Sequence, residues 1–220
     1  MKKKEYIFTF LDDLTKNNSK DWMNENRDRY ETAKAYWLEE VANMLERLSQ
    51  YDTHFEFFEP KKTITRINNN RMFHPEKPIY KTHFSFSPTQ KKDEYAPLFF
   101  SYGAANSLVG GGIWRPNPDI LKRVRAHIDR DGAALQKVIS SEEFVNFFGG
   151  LQEDDQKLKS APKGYDKAHP YVELLRYKNF TAAIAPTRAE LIRTDLADIA
   201  EQVYVKMKPM NDFFEEALNG

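Results

Sequence analysis

Apolar side chains recur at helical spacing at both ends of this chain. Near the amino terminus they predict a short helix around residues 8–14 and, after a polar break at 17–19, a long amphipathic helix over 30–48. Near the carboxyl terminus an apolar stripe over 196–214 predicts a terminal helix that is kinked at Pro209. The polar face of the long helix is mixed to acidic, so we expect this helix to pack on a core rather than to lie on a membrane surface.

The middle of the chain alternates apolar with polar side chains, which is typical of half-buried strands. This pattern covers residues 63–67 and 82–86, and two apolar segments at 96–104 and 107–113 predict a hairpin. A further strand is predicted at 180–185. Because these strands do not alternate regularly with helices, we predict an α+β fold. Its small, mainly antiparallel sheet packs against the amino- and carboxyl-terminal amphipathic helices.

Capping residues mark several helices in the second half of the chain. Asn117 and the proline after it predict a helix start, and the polar segment at 129–132 is expected to interrupt that helix. Thr187 and Glu190 have the spacing of a capping box. The glycines at 110–112 lack the spacing of a dinucleotide-binding or P-loop motif. We therefore expect them to allow a bulge or a close approach of two backbones.

Length and composition are those of a globular protein. The 220 residues, 40% of them hydrophobic, can bury a substantial core, so we predict a single domain over residues 1–220. The lack of cysteine excludes a disulfide framework, a thiolate zinc site and a cysteine nucleophile. The apolar run at 6–11 is too short for a secretory signal, and no run approaches the roughly 20 residues that span a bilayer. We expect a cytoplasmic protein without a membrane partner.

Charge is balanced overall but unevenly distributed. The formal net charge is zero, which gives no reason to expect nucleic acid as a partner. Residues 61–92, however, hold eight Lys or Arg side chains and one Glu, whereas residues 1–59 hold nine basic and thirteen acidic ones. The excess of positive charge therefore lies in one segment.

That basic segment contains a loop in which Pro75 and Pro78 fix φ and remove two hydrogen-bond donors. Cationic side chains lie in and beside this loop, with Phe73 and Tyr80 as stacking surfaces. Guanidinium and ammonium groups of this kind suit a phosphate or a carboxylate, so we predict a small anionic molecule as the partner. Lys163 and Lys178 would add contacts if their loops converge on the same segment. The predicted ligand-binding residues are Arg66, Arg71, Lys77, Tyr80, Lys81 and Lys163.

One alternative uses the same cations differently. They would equally pair with the acidic amino-terminal helices, which would make the chain a non-catalytic protein–protein interaction or scaffold module. A metal site built from His74, His83, His169 and Glu76 lacks the spacing of a known motif, and His169 is expected to be a cap or a packing residue. We therefore expect no metal and no cofactor. No serine-hydrolase motif is present, and the sequence identifies no catalytic residue.

Several short motifs are spread along most of the chain. They include AsnAsnSerLysAspTrpMet at 17–23, ArgIleAsn at 66–68, TyrLysThr at 80–82, GlyGlyGlyIleTrp at 110–114 and AlaProLysGlyTyrAsp at 161–166. This set resembles the bacterial and fungal family called domain of unknown function 2461, from about residue 8 to about residue 214. The family pattern has an Arg-Asp pair where this chain has Asn69 and Asn70. The resemblance implies no catalytic residue.

Overall fold

The structure is a computed structural model that describes residues 2–89 and 95–219. The helices are α1 (Lys3–Lys16), α2 (Lys20–Glu25), α3 (Arg27–Ser49), α4 (Pro60–Thr63), α5 (Pro118–Ile139), α6 (Glu142–Phe148), α7 (Val172–Leu175), α8 (Arg188–Arg193) and α9 (Leu196–Asn219), with a short 3-10 helix at Thr53–Phe57. The strands are β1 (His83–Phe86), β2 (Tyr95–Gly103), β3 (Leu108–Ile113) and β4 (Phe180–Ile184). Across this described part no helix is long and apolar enough to cross a membrane.

The four strands form one sheet in the order β1-β2-β3-β4. β1 and β2 are antiparallel, with His83 opposite Gly103 and Phe86 opposite Phe100. β2 and β3 form the predicted hairpin, and the predicted helices lie at both ends of the chain. The α+β prediction is confirmed.

The predicted strand at 63–67 is wrong. Pro60 begins α4, which ends at Thr63, and the Thr63 hydroxyl donates to the Pro60 carbonyl oxygen at 2.9 Å. A proline at the first position of a helix is already fixed near the helical φ. The helix that Pro60 begins therefore includes Thr63, the first residue of the predicted strand. Ile64 then makes only an isolated bridge to Phe86. The segment runs beside β1 without becoming a strand.

The predicted caps are confirmed. The Asn117 side chain accepts hydrogen bonds from two backbone amides of α5, and Thr187 and Glu190 form the capping box of α8. The expected interruption of α5 is at Asp131, whose φ of −142° and ψ of 46° are not helical. Pro209 lies inside α9, and the kink there stays a prediction.

The glycines of β3 allow close backbone approach, as the sequence predicts. A Cβ on Gly110 would lie 2.2 Å from the Ala182 carbonyl oxygen. Gly112 has a φ of +112°, and a Cβ there would lie 2.1 Å from the Phe180 carbonyl oxygen. Both side chains are excluded because β4 lies directly against this part of β3.

The chain divides into two compact units, each with its own buried aromatic cluster. The first comprises Met1–Pro88, Phe99–Val109 and Ala185–Gln202, and the second comprises Thr89–Leu98, Gly110–Ile184 and Val203–Gly220. In the first, the Trp37 and Tyr102 rings lie 5.6 Å apart. In the second, the Phe180 and Phe214 rings lie 5.6 Å apart. The single domain over residues 1–220 stays a prediction.

Candidate anion-binding sites

Residues 66–81, here called the basic loop, are held by a short antiparallel ladder in the first unit. The Lys81 amide donates to the Ile67 carbonyl oxygen at 2.7 Å, and the Asn69 amide donates to the Ile79 carbonyl oxygen at 3.0 Å. Beyond this ladder, residues 70–78 are exposed. The loop is therefore held at its base, and the constraint expected from Pro75 and Pro78 stays a prediction.

Asn18 joins the base of the basic loop to the turn between α1 and α2. Its Nδ2 donates to the Tyr80 carbonyl oxygen at 2.9 Å, and its Oδ1 accepts from the Tyr80 amide at 2.9 Å. The Tyr80 side chain is only 6% exposed, so its ring is not available here as a stacking surface. Asn18 was not among the predicted site residues. Its only signal in the sequence is its place in the motif at 17–23, which accompanies the motif at 80–82 in the resemblance.

Two cations of the basic loop bind the loop's own backbone. The Lys81 ammonium donates to the carbonyl oxygens of Arg66 and Asn68, and burial, followed by the charge of Lys77, lowers the pKa of Lys81. Arg71 Nη2 donates to the Pro75 carbonyl oxygen at 3.2 Å. These two side chains brace the loop.

The ion pairs expected from the scaffold alternative are not made by these residues. Within residues 2–89 and 95–219, no salt bridge joins Arg66, Arg71, Lys77 or Lys81 to a carboxylate. The acidic helices pair with other cations instead, for example Asp13 with Arg29 at 2.6 Å and Asp12 with Arg188 at 2.7 Å. Arg66 and Lys77 are exposed.

Arg66 lines a cavity of about 270 Å³ in the first unit, together with Lys34 and Lys61. Lys34 is partly neutralised by Glu31, whose carboxylate lies 3.5 Å from its ammonium, and it also lies over the Tyr30 ring. Arg71, Lys77 and Lys81 are not among the described residues that line this cavity. The structure thus brings one predicted cation together with two that were not predicted.

Lys163, the predicted residue of the second unit, lines a different cavity of about 390 Å³. Three more cations line it: Lys122 and Arg125 from α5, and Lys178, which precedes β4. We call this cavity the cationic groove. Its other lining residues are Pro116, Pro118, Leu121, Gln156 and Tyr165, so no carboxylate of the described part of the chain lines it. Lys163 and Lys178 therefore line one cavity of the second unit. Their convergence on the basic loop, on which the sequence analysis made their role depend, stays a prediction.

Arg125 is the braced cation of the cationic groove. Its Nε donates to the Leu175 carbonyl oxygen at 2.9 Å and its Nη2 to the Tyr177 carbonyl oxygen at 3.3 Å. Burial lowers the pKa of Arg125, because a half-buried guanidinium is poorly solvated. Its Nη1 has no hydrogen-bond partner among residues 2–89 and 95–219. The Arg125 guanidinium is therefore held by two hydrogen bonds that leave Nη1 without a partner in the described residues.

The nearby acid Asp154 is bound by backbone amides rather than by a cation of the groove. Its Oδ2 accepts from the amides of Lys178 at 2.6 Å and Asn179 at 3.0 Å. Although burial would raise the pKa of Asp154, these hydrogen bonds hold it below its usual range. In the described structure, the ammonium groups of Lys122, Lys163 and Lys178 form no ion pair. Asp154 therefore stays ionised beside the groove without pairing with any of these three ammonium groups.

His169, predicted to be a cap or a packing residue, makes two local hydrogen bonds. Its Nδ1 accepts from the Tyr171 amide at 3.1 Å, and its Nε2 lies 3.0 Å from Asp129 Oδ1. The Tyr171 contact makes Nδ1 the acceptor, so the proton is on Nε2 and is donated to Asp129. His74 contacts Glu76 at 3.4 Å. In the described ranges no group of three or more His, Cys, Asp or Glu side chains is placed to hold a metal ion.

Comparison with known proteins identifies one family. The model of the family described as conserved hypothetical protein, domain of unknown function 2461, matches residues 6–213. No curated protein and no solved structure matches the chain. The match covers nearly the whole sequence and agrees with the resemblance carried by the motifs, so the chain belongs to the domain of unknown function 2461 family.

Proposed function

We propose that this chain is a cytoplasmic protein that binds a small phosphate- or carboxylate-bearing ligand in the cationic groove. One observation supports this proposal above the others. Lys122, Arg125, Lys163 and Lys178 line a single cavity, and no carboxylate of the described residues lines it with them. Its volume of about 390 Å³ falls within the range of roughly 300–1,000 Å³ that is usual for small-molecule sites.

The electrostatics of the groove favour an anion. Like charges around one cavity repel each other, and a bound anion replaces this repulsion with attraction. Arg125 also contributes a fixed orientation, because two hydrogen bonds to backbone carbonyl oxygens hold its guanidinium in place. Hydrogen bonds between a guanidinium and a phosphate or carboxylate oxygen are among the strong ones in proteins.

The cavity beside Arg66 is a weaker site for the same ligand class. It has three cations, of which Lys34 is already paired with Glu31. Its volume of about 270 Å³ lies below the usual range of roughly 300–1,000 Å³. The basic loop also uses Arg71 and Lys81 on its own carbonyl groups. We therefore assign the ligand to the cationic groove.

Titration calorimetry with inorganic phosphate at low ionic strength tests this assignment. A Lys122→Ala/Lys163→Ala variant should bind at least about tenfold more weakly than wild type, because each lost charged hydrogen bond is worth roughly 1.5–3 kcal/mol. Both side chains are exposed, so thermal unfolding should be unchanged within about 1 kcal/mol. The matched control is Lys61→Ala/Arg66→Ala, which removes the same charge from the other cavity and should bind as wild type does.

Three outcomes would contradict the assignment. A folded wild-type protein that binds no phosphate, carboxylate or nucleotide would refute the function. Weaker binding in the Lys61→Ala/Arg66→Ala variant alone would move the site to the basic loop. Equal binding in all three proteins would show that the four cations do not hold the anion.

A protein–protein interaction role is the second candidate function, and one observation favours it. Met72 and Phe73, at the tip of the basic loop, are 84% and 73% exposed although the loop base is braced. Large apolar side chains held in water by an ordered backbone are typical of contact surfaces. A partner that loses affinity on Phe73→Ser, while phosphate binding persists, would support this role.

A further inference from the structure

We infer that the ligand of the cationic groove is a phosphate monoester that carries a planar ring. This inference rests on the proposed function and adds a ligand class to it. It is argued from the two kinds of surface that line one cavity. Cations from three segments form the charged part, and Tyr165 with Pro116, Pro118 and Leu121 forms the apolar part.

The charged part suits a group with more than one negative charge. Four cationic side chains line a space of about 390 Å³, and none of them is paired with a carboxylate of residues 2–89 or 95–219. A phosphate monoester carries a charge of about −1.5 to −2 at neutral pH and has three acceptor oxygens, whereas a single carboxylate carries −1. A phosphate monoester therefore uses more of the available donors.

The apolar part offers one aromatic ring, that of Tyr165. Burial, followed by the charge of Asp129, raises the pKa of Tyr165, so the phenol is neutral at physiological pH. Its half-buried ring packs edge-on against His169, with 6.3 Å between centroids and 81° between planes. His169 is itself held by Asp129 and the Tyr171 amide. A ring fixed in this way loses little freedom when a second ring stacks on it.

One turn places the two kinds of surface side by side. Gly164 has a φ of +95°, and the Tyr165 amide donates to the Pro162 carbonyl oxygen at 3.2 Å. This turn holds Lys163 and Tyr165 two residues apart in the chain, and both line the groove. A ligand that contacts both side chains must therefore carry its anionic group and its planar ring close together in one small molecule.

Two sources share this chemistry: a nucleoside monophosphate and an aryl phosphate such as a phosphorylated tyrosine. Calorimetry with four probes distinguishes them. The probes are adenosine monophosphate, ribose 5-phosphate, phenyl phosphate and inorganic phosphate. Ribose 5-phosphate is the matched control for the nucleotide, because it lacks only the base. We expect at least one ring-bearing probe to bind about tenfold more tightly than its ring-free control, which is within the range that base–aromatic stacking gives.

Variants at Tyr165 test the ring contact itself. Tyr165→Leu should lower the affinity for the ring-bearing probe to that of its ring-free control measured on the same variant, whereas Tyr165→Phe should keep the tenfold preference. Circular dichroism and thermal unfolding establish that both variants are folded. Tighter binding of the nucleotide alone identifies a nucleoside monophosphate, and tighter binding of phenyl phosphate alone identifies an aryl phosphate.

The inference and the proposed function fail in different ways. If inorganic phosphate binds and no ring-bearing probe binds more tightly than its control, the ring inference is overturned and the anion site stands. If the preference survives in Tyr165→Leu, the ring contact is elsewhere and the inference is overturned. If none of the four probes binds to folded wild type, the inference is overturned together with the phosphate part of the proposed function, and a carboxylate such as citrate then tests the remaining part.

Discussion

Replacing Asn18 by alanine should destabilise the protein more than its position in a surface turn suggests. The Asn18 side chain satisfies both backbone groups of Tyr80, each at 2.9 Å. Each neutral hydrogen bond contributes roughly 1 kcal/mol net, and a buried partner left unsatisfied costs roughly 1–3 kcal/mol. We therefore expect Asn18→Ala to lower the free energy of unfolding by about 2–4 kcal/mol.

Urea denaturation monitored by circular dichroism measures this effect, and Asn17→Ala is the matched control. Asn17 is exposed, and within residues 2–89 and 95–219 its side chain donates one hydrogen bond, to the Asp13 carbonyl oxygen of α1. Its loss should cost about 1 kcal/mol or less. Asn18→Asp should destabilise the protein more than Asn17→Ala does. It keeps the acceptor for the Tyr80 amide, but it places a carboxylate oxygen against the Tyr80 carbonyl oxygen. If Asn18→Ala is no more destabilising than Asn17→Ala, the two hydrogen bonds between Asn18 and Tyr80 do not hold the basic loop.

Two further predictions concern the second unit. Gly112→Ala should lower the free energy of unfolding by at least about 2 kcal/mol, because a Cβ would lie 2.1 Å from a carbonyl oxygen at a φ of +112°. Gly150 has a φ of +105°, but a Cβ there would have no neighbour within 4 Å, so Gly150→Ala should lower the free energy of unfolding by only about 1 kcal/mol. Thermal unfolding measures both variants, and equal losses would show that the predicted clash at Gly112 does not occur. Burial, and then Arg130, lower the pKa of His127, so the fold favours the neutral imidazole. Its contribution is complete above the unfolded pKa of about 6.5 and is lost as the pH falls below it. Between pH 7.5 and pH 5, the free energy of unfolding measured by urea denaturation should therefore fall more for wild type than for His127→Leu. Equal decreases would show that the pKa of His127 is not lowered by the fold.

Local patterns in the sequence were sufficient for most elements of the fold. The caps at Asn117 and Thr187 and the hairpin of β2 and β3 depend on neighbouring residues, and they are found where the sequence predicts them. The error at 63–67 is also local in origin. Alternation indicated a strand, but Pro60 starts a helix that reaches Thr63. Helix initiation by the proline outweighed the β-branched pattern.

The candidate site was less predictable because it depends on contacts between distant segments. Lys122 and Arg125 lie three residues apart on α5 and therefore share a face, but nothing local indicates that Lys163 and Lys178 lie along the same groove. The distribution of charge along the sequence predicted an anion site in the basic loop instead. There Lys81 is used to hold backbone carbonyl groups, so part of the counted charge is structural.

The turn at residues 162–165 has a consequence for engineering. It carries a cation and an aromatic ring on four residues whose conformation depends on Gly164 and one internal hydrogen bond. Lys163 and Gly164 are exposed, and a Cβ on Gly164 would have no neighbour within 4 Å. A grafted turn of equal length, with glycine kept at the third position, would replace both the cation and the ring that are proposed to contact the ligand. Four residues would then be enough to change the proposed ligand preference while α5 and β4 stay unaltered.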